Sequence, residues 1–219
     1  MCLKKCNFSV PNYGRFMKIF TPKFIALRVV VYSLLVFGMA ELVRLDALFP
    51  MEDGYFGEIT FTEIGQEILL FILFVFYMWF GFKNKPIQPV ANIVSLFFLI
   101  SFIREFNFLI NWVIPDLIIL AVIIWLVVRD YKKIKAATIK FFSQPASAWF
   151  FAGFLMTYIF SRLMGRSDFW LLVYSEENYR IAKAATEEGI ELAGNAIMLI
   201  GAIEFLIFYL AEKKKETNS

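Results

Sequence analysis

The chain has 219 residues, of which 60% are hydrophobic and 19% aromatic, including 27 Phe, with a net charge of +3. An ordinary soluble domain is about 45 to 50% apolar, and a chain this short leaves much of its surface in contact with solvent, so this composition requires lipid as part of the solvent. Basic and acidic residues fall in separate segments rather than in one basic patch, which argues against a nucleic-acid partner. Histidine is absent. That removes the commonest ligand for zinc, copper and non-haem iron and leaves only hard, oxygen-ligated cations such as calcium, magnesium or manganese as candidate metals. No cofactor motif is present.

Residues 1–23 form a basic N-terminal segment, with Cys2 and Cys6 read as reduced cytoplasmic thiols. Six stretches then approach the roughly 20 apolar residues that a membrane crossing needs. They run from about Phe24 to Val43, Glu63 to Phe82, Val90 to Ile110, Trp112 to Val128, Ala148 to Leu163 and Glu191 to Leu210. The third and fourth meet at a tight connection around Asn111, Trp112 and Pro115, which predicts a helical hairpin. Residues 211–219 form a tail. The fold class expected is an all-α polytopic integral membrane bundle of six transmembrane helices over residues 24–210, in a single domain 1–219.

Lys4, Lys5, Arg15, Lys18 and Lys23 precede the first stretch. Lys83 and Lys85 follow the second, Arg129, Lys132, Lys133, Lys135 and Lys140 the fourth, and Lys213, Lys214 and Lys215 the sixth. In a six-span chain these all fall on one side, so the positive-inside bias places both termini in the cytoplasm and the protein in the plasma (inner) membrane. The opposite side collects Asp46, Glu52, Asp53, Glu58, Asp168, Glu176 and Glu177. Between Phe169 and Ala185, Trp170, Tyr174 and Tyr179 suit the headgroup zone, and a helix on the outer surface is expected there.

The purely apolar runs are short: Ile68 to Phe82, Val90 to Ile103 and Ala148 to Ser161 each cover little more than about 20 Å at 1.5 Å per residue. The deficit lies at the extracytoplasmic end every time, drawing Glu41, Arg44, Glu63, Glu67, Arg104, Glu105, Asp116, Arg162, Glu187, Glu188 and Glu191 toward one layer. Gln66, Asn107, Asn111 and Asn195 add hydrogen-bonding capacity. Glu63 and Glu67 are one helical turn apart, as are Glu187 and Glu191 and then Glu191 and Asn195. Carboxylates so placed repel each other unless a cation, an arginine or a proton intervenes, and Arg44, Arg104 and Arg162 are the available partners.

Glu41, Arg44, Glu63, Glu67, Arg104, Glu105, Asp116, Arg162, Glu191 and Asn195 therefore constitute the expected pocket for an ion or charged small ligand, in keeping with transport or sensing. The bland alternative is a salt-bridge layer that only sets helix register in an accessory subunit, with Glu63, Glu187 and Glu188 simply solvated. A third reading, an intramembrane enzyme on a lipid-linked substrate using Glu67, Glu105 or Glu191 as acid or base, has no motif behind it. No catalytic residue is assigned. Arg28 and Glu204 are expected as a pair in the inner leaflet. The small residues Gly189, Ala193, Gly194, Ala196, Gly201 and Ala202 predict that the sixth helix approaches a neighbour closely and packs centrally. Membrane lipids are the remaining partner that the composition demands.

Overall fold

A computed structural model describes residues 21–50, 55–56, 59–105, 113–176 and 178–216. Cys2, Cys6, the basic residues before Thr21, Glu52, Asp53, Glu58, Asn107, Asn111, Trp112 and Glu177 lie outside them, as does the hairpin expected at Asn111 and Trp112. Two units, residues 1–34 and 35–219, divide the chain.

The described residues are helical, with no strand among them. In order they are α1 (Pro22–Leu48), α2 (Phe61–Lys83), α3 (Gln88–Glu105), α4 (Val113–Arg129), α5 (Tyr131–Phe142), α6 (Ala146–Leu155), a π-helical turn (Met156–Phe160), α7 (Ser161–Met164), α8 (Ser167–Leu171) and α9 (Tyr179–Glu216). Among the described residues three helices, not six, are long and apolar enough to cross a membrane: α1, α2 and α9. The difference has a local cause in each remaining stretch. α3 has 18 residues and ends on Arg104 and Glu105. α4 has only 17, and the fifth stretch, helical throughout, changes from α to π geometry and back within 146–164, so none of its α segments is long.

The sixth stretch differs in the other direction. No proline or glycine cap stops it at its polar end, so the segment expected as a separate surface helix continues into it as one helix of 38 residues, about 57 Å long. Sequence reasoning also missed α5, whose lysines conceal the apolar face formed by Ile134, Ala137 and Phe141.

Within the second unit the core is aromatic. Tyr77 and Phe80 of α2, Phe98 of α3, Phe141 of α5, Phe150 of α6 and Phe205 of α9 are all buried. Phe141 stacks on Phe205 with 4.6 Å between ring centroids, and Tyr77 stacks on Phe98 at 5.7 Å. Offset and edge-on contacts of this kind each add about 0.5 to 1.5 kcal/mol beyond area burial. The Phe-rich stretches thus divide: Phe80 and Phe98 pack inside while Phe71 and Phe82 face outward. A second cluster joins Leu35, Met39, Leu42 and Val43 of α1 to Leu69 of α2 and to Leu192 and Ala196 of α9.

α9 takes the central place expected of it, packing on α2, α6, the π turn, α7 and α8. At Gly153 of α6 an added methyl would meet the Gly194 carbonyl and the Met198 backbone. One at Gly194 would meet Thr157 and the Gly153 carbonyl, and one at Gly201 the Phe150 nitrogen. Backbone touches backbone along this seam, the arrangement that small residues permit between membrane helices.

The start of α2 is held from α1. Buried Asp46 accepts hydrogen bonds from the backbone N–H of Phe61 (2.6 Å) and of Thr62 (2.9 Å), and from the Thr62 hydroxyl. Thr60 accepts from the Glu63 N–H at 3.1 Å. Together they satisfy three of the four backbone donors left open at a helix start, each charge-assisted bond contributing about 1.5 to 3 kcal/mol. Read from sequence as an outer-face charge, Asp46 is a helix cap.

Candidate functional site

α2 and α9 run parallel, because Gln66 near the start of α2 bonds to Glu188 near the start of α9, and Tyr209 near the end of α9 donates to the Lys83 carbonyl that ends α2. α3 returns antiparallel to α2 through the Asn84–Ile87 turn. At the end of the unit where α2 and α9 begin, α3 and α6–α7 finish, and a cavity of about 360 Å³ opens among them. Its walls are Gln66 and Leu70 of α2, Ser101, Arg104 and Glu105 of α3, Thr157 and Tyr158 of the π turn, Arg162 of α7, and Glu187, Glu188, Glu191 and Asn195 of α9.

Of the ten residues expected to form a pocket, Arg104, Glu105, Arg162, Glu191 and Asn195 line this cavity. The others do not. Glu41 and Arg44 pair with each other at 2.7 Å, one turn apart on the exposed side of α1. Glu63 sits in the first turn of α2. Glu67, four residues on, is half-buried but off the lining, and so is Asp116 in the first turn of α4. Arg28 belongs to the first unit and Glu204 to the second, in which Glu204 is buried.

Glu187 and Glu188 are the correction in this region, since neither is solvated. The Glu187 carboxylate lies against the backbone of Gly165, where a side chain would collide with it. The Arg162 guanidinium then forks between two carboxylates, its Nη1 donating to Glu187 Oε1 at 2.6 Å and its Nη2 standing 3.0 Å from Glu191 Oε1. The arginine is 58% exposed, whereas Glu187 and Glu191 are only 19% and 12% exposed. One cation at the mouth thus serves two inward-lying anions.

Glu188 has a different environment. Its carboxylate contacts the Gln66 amide at 3.4 Å, and no arginine or lysine reaches it among the described residues. Glu105, Glu187 and Glu191 line the same cavity around it. Four carboxyl groups and two guanidiniums line the cavity, so acidic side chains outnumber basic ones there.

The uncharged wall is fixed more tightly. Ser101 and Tyr158 share a hydrogen bond of 2.8 Å between hydroxyls. Buried Thr157 donates to the Glu191 carbonyl at 3.3 Å and lies 3.4 Å from Asn195 Oδ1. The π turn brings the successive residues Thr157 and Tyr158 to the cavity, a service that single π turns inside helices often render at functional sites. Ser161 donates back to the Thr157 carbonyl at 2.5 Å. No group of three or more carboxylates or thiols is placed to hold a metal ion among the described residues.

At the opposite end of these helices are Lys83, Arg129, the α5 lysines, Lys213 and Lys214. There Asp130 receives Arg129 at 2.8 Å and Lys133 at 3.1 Å, and these two hydrogen bonds hold its carboxyl below the usual carboxylate range.

Comparison of the chain with protein-family models, with curated proteins and with solved structures finds no match.

Proposed function

We propose that the chain is a polytopic protein of the plasma (inner) membrane whose Glu/Arg cavity opens on the extracytoplasmic side and binds a small cationic ligand for transport or sensing. The observation that carries this reading is Glu188, a carboxyl group that shares the cavity with those of Glu105, Glu187 and Glu191 and whose own contact among the described residues is the Gln66 amide. Keeping such a group costs stability, a cost expected where a ligand later supplies the missing charge. Because no three carboxylates among the described residues are grouped to hold a metal ion, an organic ammonium or guanidinium group fits better than calcium, magnesium or manganese. A volume of about 360 Å³ suits a compact organic molecule.

Six crossings with both termini cytoplasmic remain the proposed topology. α3, α4 and the continuous helical run 146–164 reach about 26 to 29 Å each at 1.5 Å per residue, close to the roughly 30 Å of hydrocarbon. The separation of the charged cavity from the lysine-rich end supports the orientation.

The competing reading, a lock that only joins helices in an accessory subunit, has one observation in its favour: the Arg162 fork ties α7 to α9. Thermal unfolding of detergent-purified protein separates the two. A panel of choline, a short alkyl diamine and guanidinium, at matched ionic strength, should contain at least one cation that raises the melting temperature beyond what magnesium does. Glu188→Gln should raise the melting temperature without ligand and weaken binding of that cation at least about tenfold, since a hydrogen bond to a charged group is worth about 1.5 to 3 kcal/mol. Glu41→Gln, outside the cavity, should leave binding unchanged. If no cation in the panel stabilises the protein, or if Glu188→Gln leaves the affinity intact, the lock is the better description.

A further inference from the structure

We propose that α5 is an interfacial helix that docks on the phosphate-bearing headgroups of anionic lipids. One of its faces is fixed: Ala137 and Phe141 are buried, and Phe141 packs among Tyr77, Phe150 and Phe205. The rest of the helix is therefore held at a set angle, with Tyr131, Ile139 and Phe142 exposed by 60%, 63% and 49%. On a helical wheel Lys135 falls between these apolar side chains and Lys132 borders Ile139, while Lys140 lies about 100° further round the helix. None of those three lysines has an acidic partner among the described residues, because the nearby Asp130 is taken by Arg129 and Lys133.

Water alone would not favour an isoleucine so exposed at the centre of this face, beside a half-exposed Phe142 that stacks on Phe151, and hydrocarbon alone would not favour the lysines. Both residue types are at ease at the boundary between acyl chains and headgroups, where the apolar groups enter the chains and the lysine stems extend to phosphate. The joint before α5 fits the same depth, with the Arg129 guanidinium 4.1 Å above the Trp125 ring. Tryptophan is enriched at this level of a bilayer. Lipid is chosen over an acidic protein or a nucleic acid because α5 follows α4, a helix with no buried residue and long exposed apolar side chains. The surface is thus continuous with one that already requires lipid.

The inference rests on insertion of the neighbouring helices, and the experiment reads that separately. The full chain is reconstituted into vesicles of phosphatidylcholine and of phosphatidylcholine with phosphatidylglycerol, and resistance to carbonate extraction from the neutral vesicles reports insertion alone. Native mass spectrometry of protein released from the mixed vesicles then reports the lipids retained. Wild type should keep phosphatidylglycerol over phosphatidylcholine by roughly tenfold or more. The triple variant Lys132→Gln, Lys135→Gln, Lys140→Gln should lose most of that preference, and the corresponding triple Arg variant should keep it. A Lys213→Gln, Lys214→Gln variant, altered at the end of α9, should keep it too. Retention of the preference by the triple Gln variant, its loss in the Arg variant, or full competition by inorganic phosphate would each overturn the proposal.

Discussion

Gly194→Ala should destabilise the protein by about 3 kcal/mol, the upper end of what overpacking costs, and abolish the cavity. The new methyl would press on the Thr157 nitrogen and hydroxyl and on the Gly153 carbonyl. Two of those three atoms belong to backbone, so relief requires moving a helix rather than turning a side chain, and overpacking of this kind costs about 1 to 3 kcal/mol or more. Because Thr157 belongs to the π turn that forms the cavity wall, the displacement reaches the site directly. Gly189→Ala, five residues earlier on the same helix, should have the opposite sign. There the methyl would meet only Val43 Cγ2 at 3.8 Å, and replacing a helical glycine by alanine gains about 0.5 to 1 kcal/mol. Unfolding of both variants in detergent, followed by circular dichroism, gives the comparison. Equal effects would refute the packing seam.

Arg162→Ala should cost about 1 to 3 kcal/mol, between the small value of an exposed ion pair and the 3 to 5 kcal/mol of a buried one, since the arginine is half exposed and its partners are not. The loss comes from two inward-lying carboxylates, Glu187 and Glu191, left without their shared cation. Glu187→Gln in the Arg162→Ala background should therefore recover part of the stability, and a double-mutant cycle should show coupling above about 0.5 kcal/mol. Arg162→Lys should rescue incompletely, because one ammonium cannot fork between carboxylates a helical turn apart as a guanidinium does. Additive effects would mean that the fork contributes nothing.

The parts of this architecture legible in the sequence are those governed by composition over a whole turn or more. The long apolar helices α1 and α2, and the glycine and alanine stripe of α9, were legible because helix length, apolarity and close helix approach are set by many residues together. What depended on a single neighbour was hidden. Glu187 and Glu188 read as surface charges because polar residues flank them, and only the approach of Gly165 and Arg162 makes them interior. Asp46 looked like an outer-face acid until the start of α2 arrived beside it. The π turn leaves no periodic signature, so nothing in the residues from Met156 to Phe160 marks Thr157 and Tyr158 as cavity wall. α5 carried a readable signal in Ile134, Ala137 and Phe141, spaced at three and four, that its lysines obscured.

The length shortfall of the other stretches was also readable, yet its consequence was not. Charges at one end of α3 and of α7 could have been dispersed around separate faces. Instead the parallel run of α2 and α9, with α3 and α6–α7 reversed, gathers Arg104, Glu105, Arg162, Glu188 and Glu191 around one space.

That space, open to the outside and biased toward cations, is the central claim, and charge-selective thiol labelling tests it most directly. Ser101 lines the cavity and is small and uncharged, so Ser101→Cys, with Cys2 and Cys6 replaced by serine, introduces a thiol without altering the carboxylates. In intact cells a membrane-impermeant trimethylammonium thiosulfonate should modify this cysteine at least about tenfold faster than its sulfonate counterpart, as expected where like charges focus the field of a cleft. Glu188→Gln in the same background should reduce the ratio. Equal rates for the two reagents, or labelling only after the cells are permeabilised, would contradict an outward-facing cation site.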